Sequence, residues 1–443
     1  MSAPAALPEL EERVVRKLRW RILPFVMLLY FVSFLDRVNV GFAALAMNKA
    51  LGLTPEMFGF GGGIFFAGYF IFEVPSNLIL YRVGARRWIA RVLISWGLVS
   101  AACAFAVGPY SFYTMRFLLG AAEAGFFPGI IYYLSLWFPA RHRAVAIAAF
   151  MTAAPLSTAL GSPISGALME LPRIAGLDNW QWLFIFEALP AVVLGFVTLK
   201  ALASTPEEAR WLNPDERAWL NAELQAEYTE TGARSGHGRD AWRALFNPRV
   251  LALAVVYGGT SAGMYAVSFW APLLLGQLGF SPLTVGWLNG APGIVAIAAM
   301  IVWARHSDLT LERTWHVVLP CLAGCVGFVW GGAAHAALAV VLALTLMYIG
   351  VNASKPPMWP MPNLFLSGAG AAAGIAWINS VGNLGGFFGP FAVGWLKQRS
   401  GSYAAGLDAV AGMIAVSAGA MLILSRHIER GSRNRVTEER GST

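Results

Sequence analysis

Leu51-Gly52-Leu53-Thr54-Pro55 recurs in a similar form as Leu278-Gly279-Phe280-Ser281-Pro282, at an offset of 227 residues. The same offset relates four further pairs of identical residues, namely Gly59 and Gly286, Arg86 and Arg313, Trp88 and Trp315, and Pro163 and Pro390. So many matches at one offset are not expected by chance. The sequence therefore predicts two similar halves.

Each half is too apolar for a soluble protein. Hydrophobic residues make up 57% of the 443 residues and charged residues only 13%, whereas soluble domains carry about a quarter charged residues. A membrane span needs about 20 apolar residues, and the sequence predicts twelve. They cover residues 22–47, 58–81, 87–107, 110–138, 143–169, 181–202, 249–275, 284–305, 315–334, 336–362, 369–396 and 403–425. Their continuous apolar runs favour helices over the alternating pattern of a β-barrel.

The predicted fold class is an all-α membrane protein with twelve transmembrane helices in two pseudo-symmetric six-helix bundles. The first bundle takes residues 1–202, and the second takes residues 249–443 with a short basic tail. Residues 203–248 are predicted to be a cytoplasmic connector. Within it, Asn213-Pro214-Asp215-Glu216 is typical of a helix start, and Gly232 to Gly238 is typical of a flexible loop.

The distribution of Lys and Arg predicts the orientation. The N-terminal tail, the loops after spans 2 and 4, the connector and the C-terminal tail are basic, while the other side holds only Lys49, Arg173, Lys397 and Arg399. Both termini are therefore expected in the cytoplasm, with the chain in the cell (inner) membrane. The first apolar stretch is too long for a signal peptide. The net charge of +8 follows from this asymmetry, so no nucleic-acid partner is predicted.

Ionisable residues occur inside two spans of the first half. Span 1 carries Asp36 and Arg37, and span 4 carries Arg116 and Glu123, which lie seven residues apart on one helix face. A charge inside a bilayer is costly and marks a cavity or relay by default. Arginines can hold a carboxylate while keeping their charge, and buried carboxylates can carry protons. The alternative is an ion-pair network that only locks the structure.

Other polar side chains in spans are candidate substrate contacts. Span 2 offers Tyr69, with Glu73 and Asn77 on the same face; Glu73 fits an ion pair with an arginine better than a functional role. Span 10 carries Lys355 and Trp359 beside several prolines, which predict a break or kink in the helix. Lys355 either meets an anion, pairs with a carboxylate or extends toward the interface. The remaining candidates, each with a packing or interhelical alternative, are Tyr265, Asn379 and Asn383.

The sequence lacks motifs for ATP binding and for enzyme catalysis. No GxxxxGK[ST] motif for ATP is present, and neither HExxH nor GxSxG occurs. The six histidines fall in loops, tails or span ends, and no pair has ligand spacing with a carboxylate. We therefore predict no enzyme activity, no metal site and no cofactor, with the proton gradient as the energy source.

Several segments together resemble the major facilitator superfamily and, within it, the anion:cation symporter family of tartrate, phthalate and galactonate permeases. They are residues 34–39 (FLDRVN), 68–77 (GYFIFEVPSN), 84–88 (GARRW), 116–128, 305–308 (RHSD) and 378–386 (INSVGNLGG). The resemblance implies proton-driven uptake of an organic anion by rocking of the two halves around a central site. It implies protonation at Asp36 and Glu123, substrate contact at Arg37, a cavity lined by Tyr69 and Asn383, and Arg116 close to the protonatable acid.

The resemblance also assigns conformational gating to the loops after spans 2 and 8, at Arg82, Arg86, Arg87, Asp308 and Arg313. Two departures concern these loops. Tyr81 stands where relatives have an acid, and Leu309-Thr310-Leu311 stand where relatives have a basic residue and a glycine. Lys355 is not a family constant and is expected to set substrate preference, for example for a dicarboxylate.

Three functions are compatible with this sequence. The first is a monomeric proton–organic anion symporter for an aromatic or hydroxylated carboxylate, such as a tartrate-, phthalate- or sugar-acid-like anion. The second is an organic anion or phosphate-ester exchanger of the same fold, which has less use for Asp36 and Glu123. The third is a nutrient sensor that binds without transport; the short C-terminal tail argues against it.

Overall fold

A computed structural model describes residues 6–234, 244–366 and 368–441, and these ranges are almost entirely helical, without a β-strand. In the first half of the chain the α-helices are α1 (Ala6–Arg21), α2 (Leu23–Ala50), α3 (Pro55–Val83), α4 (Ala85–Ala102), α5 (Pro109–Glu123), α6 (Phe126–Ser135), α7 (Ala140–Met151), α8 (Ala153–Leu168) and α9 (Asn179–Ala201). They are followed by α10 (Pro214–Arg234), α11 (Pro248–Gly276), α12 (Pro282–Thr310), α13 (Thr314–Ala333), α14 (Ala337–Ala353), α15 (Lys355–Met358), α16 (Gly368–Asn383), α17 (Gly385–Ser400) and α18 (Ala404–Gly441). The all-α prediction is confirmed.

Eleven helical segments of the described ranges are long and apolar enough to cross a membrane. The predicted span 369–396 falls instead on α16 and α17, which have 16 residues each. Leu384 between them keeps helical dihedral angles. The amide of Phe387 donates to the carbonyl of Leu384 at 2.9 Å. The chain therefore tightens by an i→i+3 bond at this point, which divides the predicted eleventh span into two shorter helices.

The fourth span contains a break that positions an acidic residue. Helix α5 ends at Glu123, and Gly125 adopts a left-handed conformation with φ of 85° before α6 begins. The hydroxyl of Ser76 donates to the carbonyl of Ala124 at 2.6 Å and so bonds one of the carbonyls released by the break. A glycine suits this position because other residues rarely adopt a positive φ.

The helices form two compact units. The first contains residues 6–52, 64–234 and 281–287, and the second contains residues 53–63, 244–280, 288–366 and 368–441. In the first unit α9 packs on α4 and α2, and in the second α18 packs on α13 and α11. The division at 1–202, 203–248 and 249–443 stays a prediction.

The connector is built largely of α10, which belongs to the first unit. Its start at Pro214 agrees with the predicted helix signal, since Glu216 accepts a hydrogen bond from the Asn213 amide at 2.9 Å. The Nζ atom of Lys17 on α1 donates to the Glu216 carboxylate at 2.7 Å, which fixes α10 against α1. Of the predicted loop 232–238, the first three residues end α10, and residues 235–238 lie outside the described residues.

Candidate functional site

Two consecutive residues of α2 begin the site, and they point in different directions. Asp36 and Arg37 are both buried, with 1% and 6% of their surfaces exposed. Successive residues of a helix lie about 100° apart around its axis. The acid and the base therefore meet different neighbouring helices instead of each other.

Arg37 forms an ion pair with Glu123. Its Nε donates to Oε1 of Glu123 at 2.8 Å, and its Nη2 lies 2.7 Å from the same oxygen. The hydroxyl of Ser33, one turn earlier on α2, donates to this oxygen at 2.6 Å. The guanidinium also lies 5.2 Å from the ring centre of Tyr69. Span 1, span 2 and span 4 therefore meet at one charged centre inside the first unit.

Asp36 has a separate set of partners, two of them on α4. Trp96 donates to Oδ2 at 2.5 Å and Ser100 donates to Oδ1 at 2.9 Å, while Asn39 donates to Oδ1 at 3.3 Å. Trp96 and Ser100 are one turn apart on the same face. The carboxylate thus receives three neutral donors, which can stabilise its charge without an ion pair.

Arg116 lies close enough to the carboxylates of Asp36 and Glu123 to interact electrostatically with both. It is fully buried, and its guanidinium lies 5.1 Å from the ring centre of Phe65. Both Asp36 and Glu123 act electrostatically on it. The two predicted arginines and two predicted carboxylates therefore gather in the interior of the first unit.

One further buried acid in the same interior is not among the residues predicted from the sequence. Glu187 on α9 is 2% exposed and accepts a hydrogen bond from the hydroxyl of Ser165 at 2.7 Å. Asp36 and Asn39 are its neighbours. The available signal was a glutamate in the middle of the apolar span 181–202, which is as unusual as the acids of spans 1 and 4.

The predicted residues of the second unit form no comparable charged centre within the described ranges. Lys355 begins α15 and is half-buried, and no ion pair joins it to an acid of those ranges. Trp359 packs against Tyr257 with ring centres 5.1 Å apart. Tyr265, Asn379 and Asn383 are buried. The predicted break around Lys355 is present, since α14 ends at Ala353 and short helical turns follow.

The predicted gating residues divide into paired and exposed groups. Arg86 contacts Glu208 at 2.9 Å, and Arg313 contacts Asp308 at 2.7 Å. Arg82 and Arg87 are exposed.

A histidine pair that the sequence did not predict lies at the α12–α13 turn. Nδ1 of His306 and Nε2 of His316 are 2.7 Å apart, and Glu312 contacts Nδ1 of His316 at 2.6 Å. The turn brings together residues that are ten apart, which sequence spacing alone does not indicate.

Comparisons with known proteins fit this architecture. The sequence model of the Major Facilitator Superfamily matches residues 26–390. The chain belongs to the major facilitator superfamily. The superfamily consists of membrane transporters and not of enzymes, so the chain is a multi-pass membrane protein of a transporter family, and the resemblance described above is confirmed.

Two relatives from Agrobacterium vitis carry the name "Putative tartrate transporter". One is 59% identical over 94% of this chain and 96% of its own length, and the other is 56% identical over 97% and 95%. A crystal structure of a bacterial homolog of the human lysosomal transporter Spinster, inward-facing and unoccupied, has a TM-score of 0.75. It covers 93% of this chain and 98% of its own chain at 15% identity, a level that supports the fold alone.

Proposed function

We propose that this superfamily member is a proton-coupled symporter that takes up a small hydroxylated dicarboxylate such as tartrate. The observation that carries the proposal is the buried pair of Arg37 with Glu123. The alternatives are an organic anion or phosphate-ester exchanger and, less consistent with the charges, a non-transporting sensor. The names of the 59% and 56% identical relatives support tartrate as the first substrate to test.

The geometry suggests how a proton and an anion can be coupled at one cation. Arg37 needs an anionic partner because an uncompensated buried charge is costly. Oε1 of Glu123 now supplies it, with Ser33 as a second donor. When Glu123 takes up a proton its charge is lost, and the guanidinium becomes available for a substrate carboxylate. Proton binding and anion binding therefore favour each other at this centre.

The other residues receive proposed roles around this exchange. Asp36 is a second proton-coupling acid, because its neutral donors leave its charge without an ion pair. Arg116 and Tyr69 assist in holding the anion. In the second unit Lys355 binds a substrate carboxylate, while Asn379 and Asn383 bind hydroxyl groups and Tyr265 and Trp359 give apolar contact. The five residues at or next to the α3–α4 and α12–α13 turns, Arg82, Arg86, Arg87, Asp308 and Arg313, control the conformational change.

The protein is proposed to act as a monomer in the inner membrane, with both termini in the cytoplasm. The loop charges support this orientation. No cofactor is needed, because the proton gradient supplies the energy.

Transport assays in proteoliposomes test the proposal. An inward proton gradient should drive concentrative uptake of labelled tartrate, and a protonophore should abolish it. Uptake that is indifferent to the protonophore would show that proton coupling is wrong.

Glu123→Gln separates a symporter from an exchanger. Glutamine is neutral and keeps an acceptor for Ser33. In this variant Arg37 is therefore available to the substrate carboxylate without any protonation at position 123. The variant should lose tartrate accumulation and keep counterflow of labelled against unlabelled tartrate. If accumulation and counterflow fall together in proportion, the exchanger is the better description.

A further inference from the structure

Glu187 is a buried acid that the proposed coupling scheme does not use. It lies on α9, between Phe186 and Ala188, with 2% of its surface exposed. Oε1 accepts from the Ser165 hydroxyl at 2.7 Å. Oε2 is also buried, and no residue of the described ranges donates a hydrogen bond to it. One oxygen of this carboxyl group therefore has a donor and the other has none.

The charges around Glu187 do not compensate a carboxylate. Within the described ranges it forms no ion pair, and the charged group that acts on it is another acid, Asp36. Asn39 is the common neighbour of the two, since its amide donates to Asp36 at 3.3 Å and is also within hydrogen-bonding range of Glu187. Two neighbouring acids without a cation between them cannot both be ionised at low cost.

The hydrogen bonds indicate which acid holds the charge. Asp36 receives donors from Trp96, Ser100 and Asn39, and Arg116 adds a favourable electrostatic interaction. Glu187 receives one hydrogen bond of good geometry, from Ser165, and shares the amide of Asn39 with Asp36. Donors stabilise the ionised form, while a buried carboxylate oxygen without a donor carries a large desolvation cost.

We propose that Glu187 and Asp36 form a proton-sharing pair, with the proton on Oε2 of Glu187 in this conformation, and that this proton is one of those driving transport. In the transfer step the O–H bond of Glu187 breaks and an O–H bond forms on the Asp36 carboxylate. The total charge of the pair stays at −1 until a further proton arrives. The inference rests on the proposed proton coupling and adds a proton-binding site to it.

Infrared spectroscopy of the reconstituted protein tests the site independently of transport. At neutral pH the wild type should show the C=O stretching band of a protonated carboxyl group that is absent from Glu187→Gln. Ser165→Ala should move this band to higher frequency, because the hydroxyl of Ser165 donates to the carbonyl oxygen. Glu170→Gln, at an exposed acid of the same unit, is the control and should leave the band unchanged. A band that responds to neither Glu187→Gln nor Ser165→Ala overturns the proposal.

Accumulation measurements test the coupling role. With the membrane potential clamped at zero and a gradient of one pH unit, removal of one transported proton lowers the limiting accumulation of tartrate about tenfold. Glu187→Gln should show this loss and retain counterflow. If the band is lost but accumulation equals that of the wild type, the proton of Glu187 is static and the proposed pair is wrong. If tartrate uptake by the wild type were unaffected by the protonophore, the proposed function would be refuted, and the spectroscopic result would stand.

Discussion

The two units have related helices but very different interiors. At the repeat offset of 227 residues, Asp36 corresponds to Gly263, Arg37 to Met264, Glu123 to Gly350 and Glu187 to Ile414. A Cβ on Gly263 would lie 2.8 Å from the Ile414 side chain. The positions of Asp36 and Glu187 are therefore neighbours in the second unit as well, but there they are filled by apolar packing.

This difference separates what the fold needs from what function needs. Gly324, the counterpart of Gly97, packs closely on Gly350, so helix contacts in the second unit depend on small apolar residues. Because the same helix arrangement forms without any of these four ionisable residues, they are not required by the architecture. Their confinement to the first unit supports a functional origin for all four.

Arg37→Met, which introduces the side chain of the second unit, should have the largest effect. It removes the cation that compensates Glu123, and breaking one partner of a buried pair costs about 3–5 kcal/mol. We expect loss of tartrate uptake and a clearly lower melting temperature in a thermal-shift measurement.

The double variant Arg37→Met with Glu123→Gln is the control for this experiment. It carries no unpaired acid, so its stability should recover most of the loss while uptake stays absent. A single variant that melts like the wild type would contradict the ion pair as a stabilising contact.

Lys355→Met tests the half-buried cation that is proposed to bind substrate in the second unit. A hydrogen bond to a charged group contributes about 1.5–3 kcal/mol, so the KM for tartrate should rise about tenfold or more. A monocarboxylate substrate should be affected much less, because it lacks the second anionic group. Lys397→Met is the matched control at another half-buried lysine of the same unit, whose Nζ donates to the Gly401 carbonyl, and equal effects of both variants would remove Lys355 from the site.

The turns that follow spans 2 and 8 differ in backbone strain. Gly84 has φ of 91°, and its counterpart Leu311 has φ of 55°. A left-handed conformation costs a residue with a side chain about 1–2 kcal/mol, so Leu311→Gly should raise stability by about 1 kcal/mol. Gly84→Ala is the reverse test; its Cβ would meet nothing within 4 Å, so any loss of stability there comes from the backbone alone.

The helices were predicted well from the sequence because an apolar run of about 20 residues is compatible with few structures besides a membrane helix. Spacing alone placed Arg116 and Glu123 on one helix face. The partners of Asp36 were not predicted, because Trp96 and Ser100 in an apolar span also fit ordinary packing. Glu187 was not predicted, although an acid in an apolar span is visible in the sequence. The separation of α16 from α17 was not predicted because it depends on a local hydrogen bond at Leu384.

The smallest expected difference is in the stability contributed by two carboxylates outside the spans, Glu216 in the first unit and Glu312 in the second. Burial raises the pKa of Glu216, but hydrogen bonds from Lys17 and the Asn213 amide, with the charge of Lys17, lower this pKa by more. Burial likewise raises the pKa of Glu312, and donors at Trp315 and His316 lower it by more.

A carboxyl group whose folded-state pKa is lowered stabilises the protein above its unfolded pKa of about 4.3. That stability is lost as the pH falls through the lowered value. Glu216→Gln should therefore destabilise by up to about 1 kcal/mol at neutral pH, and its difference from the wild type should vanish in acid. Glu312→Gln should cost less, because no lysine or arginine of the described ranges pairs with Glu312, whereas Glu216→Gln loses the ion pair with Lys17. Melting curves at several pH values measure both, and a difference for Glu216→Gln that grows toward acid would contradict the Lys17 ion pair as its cause.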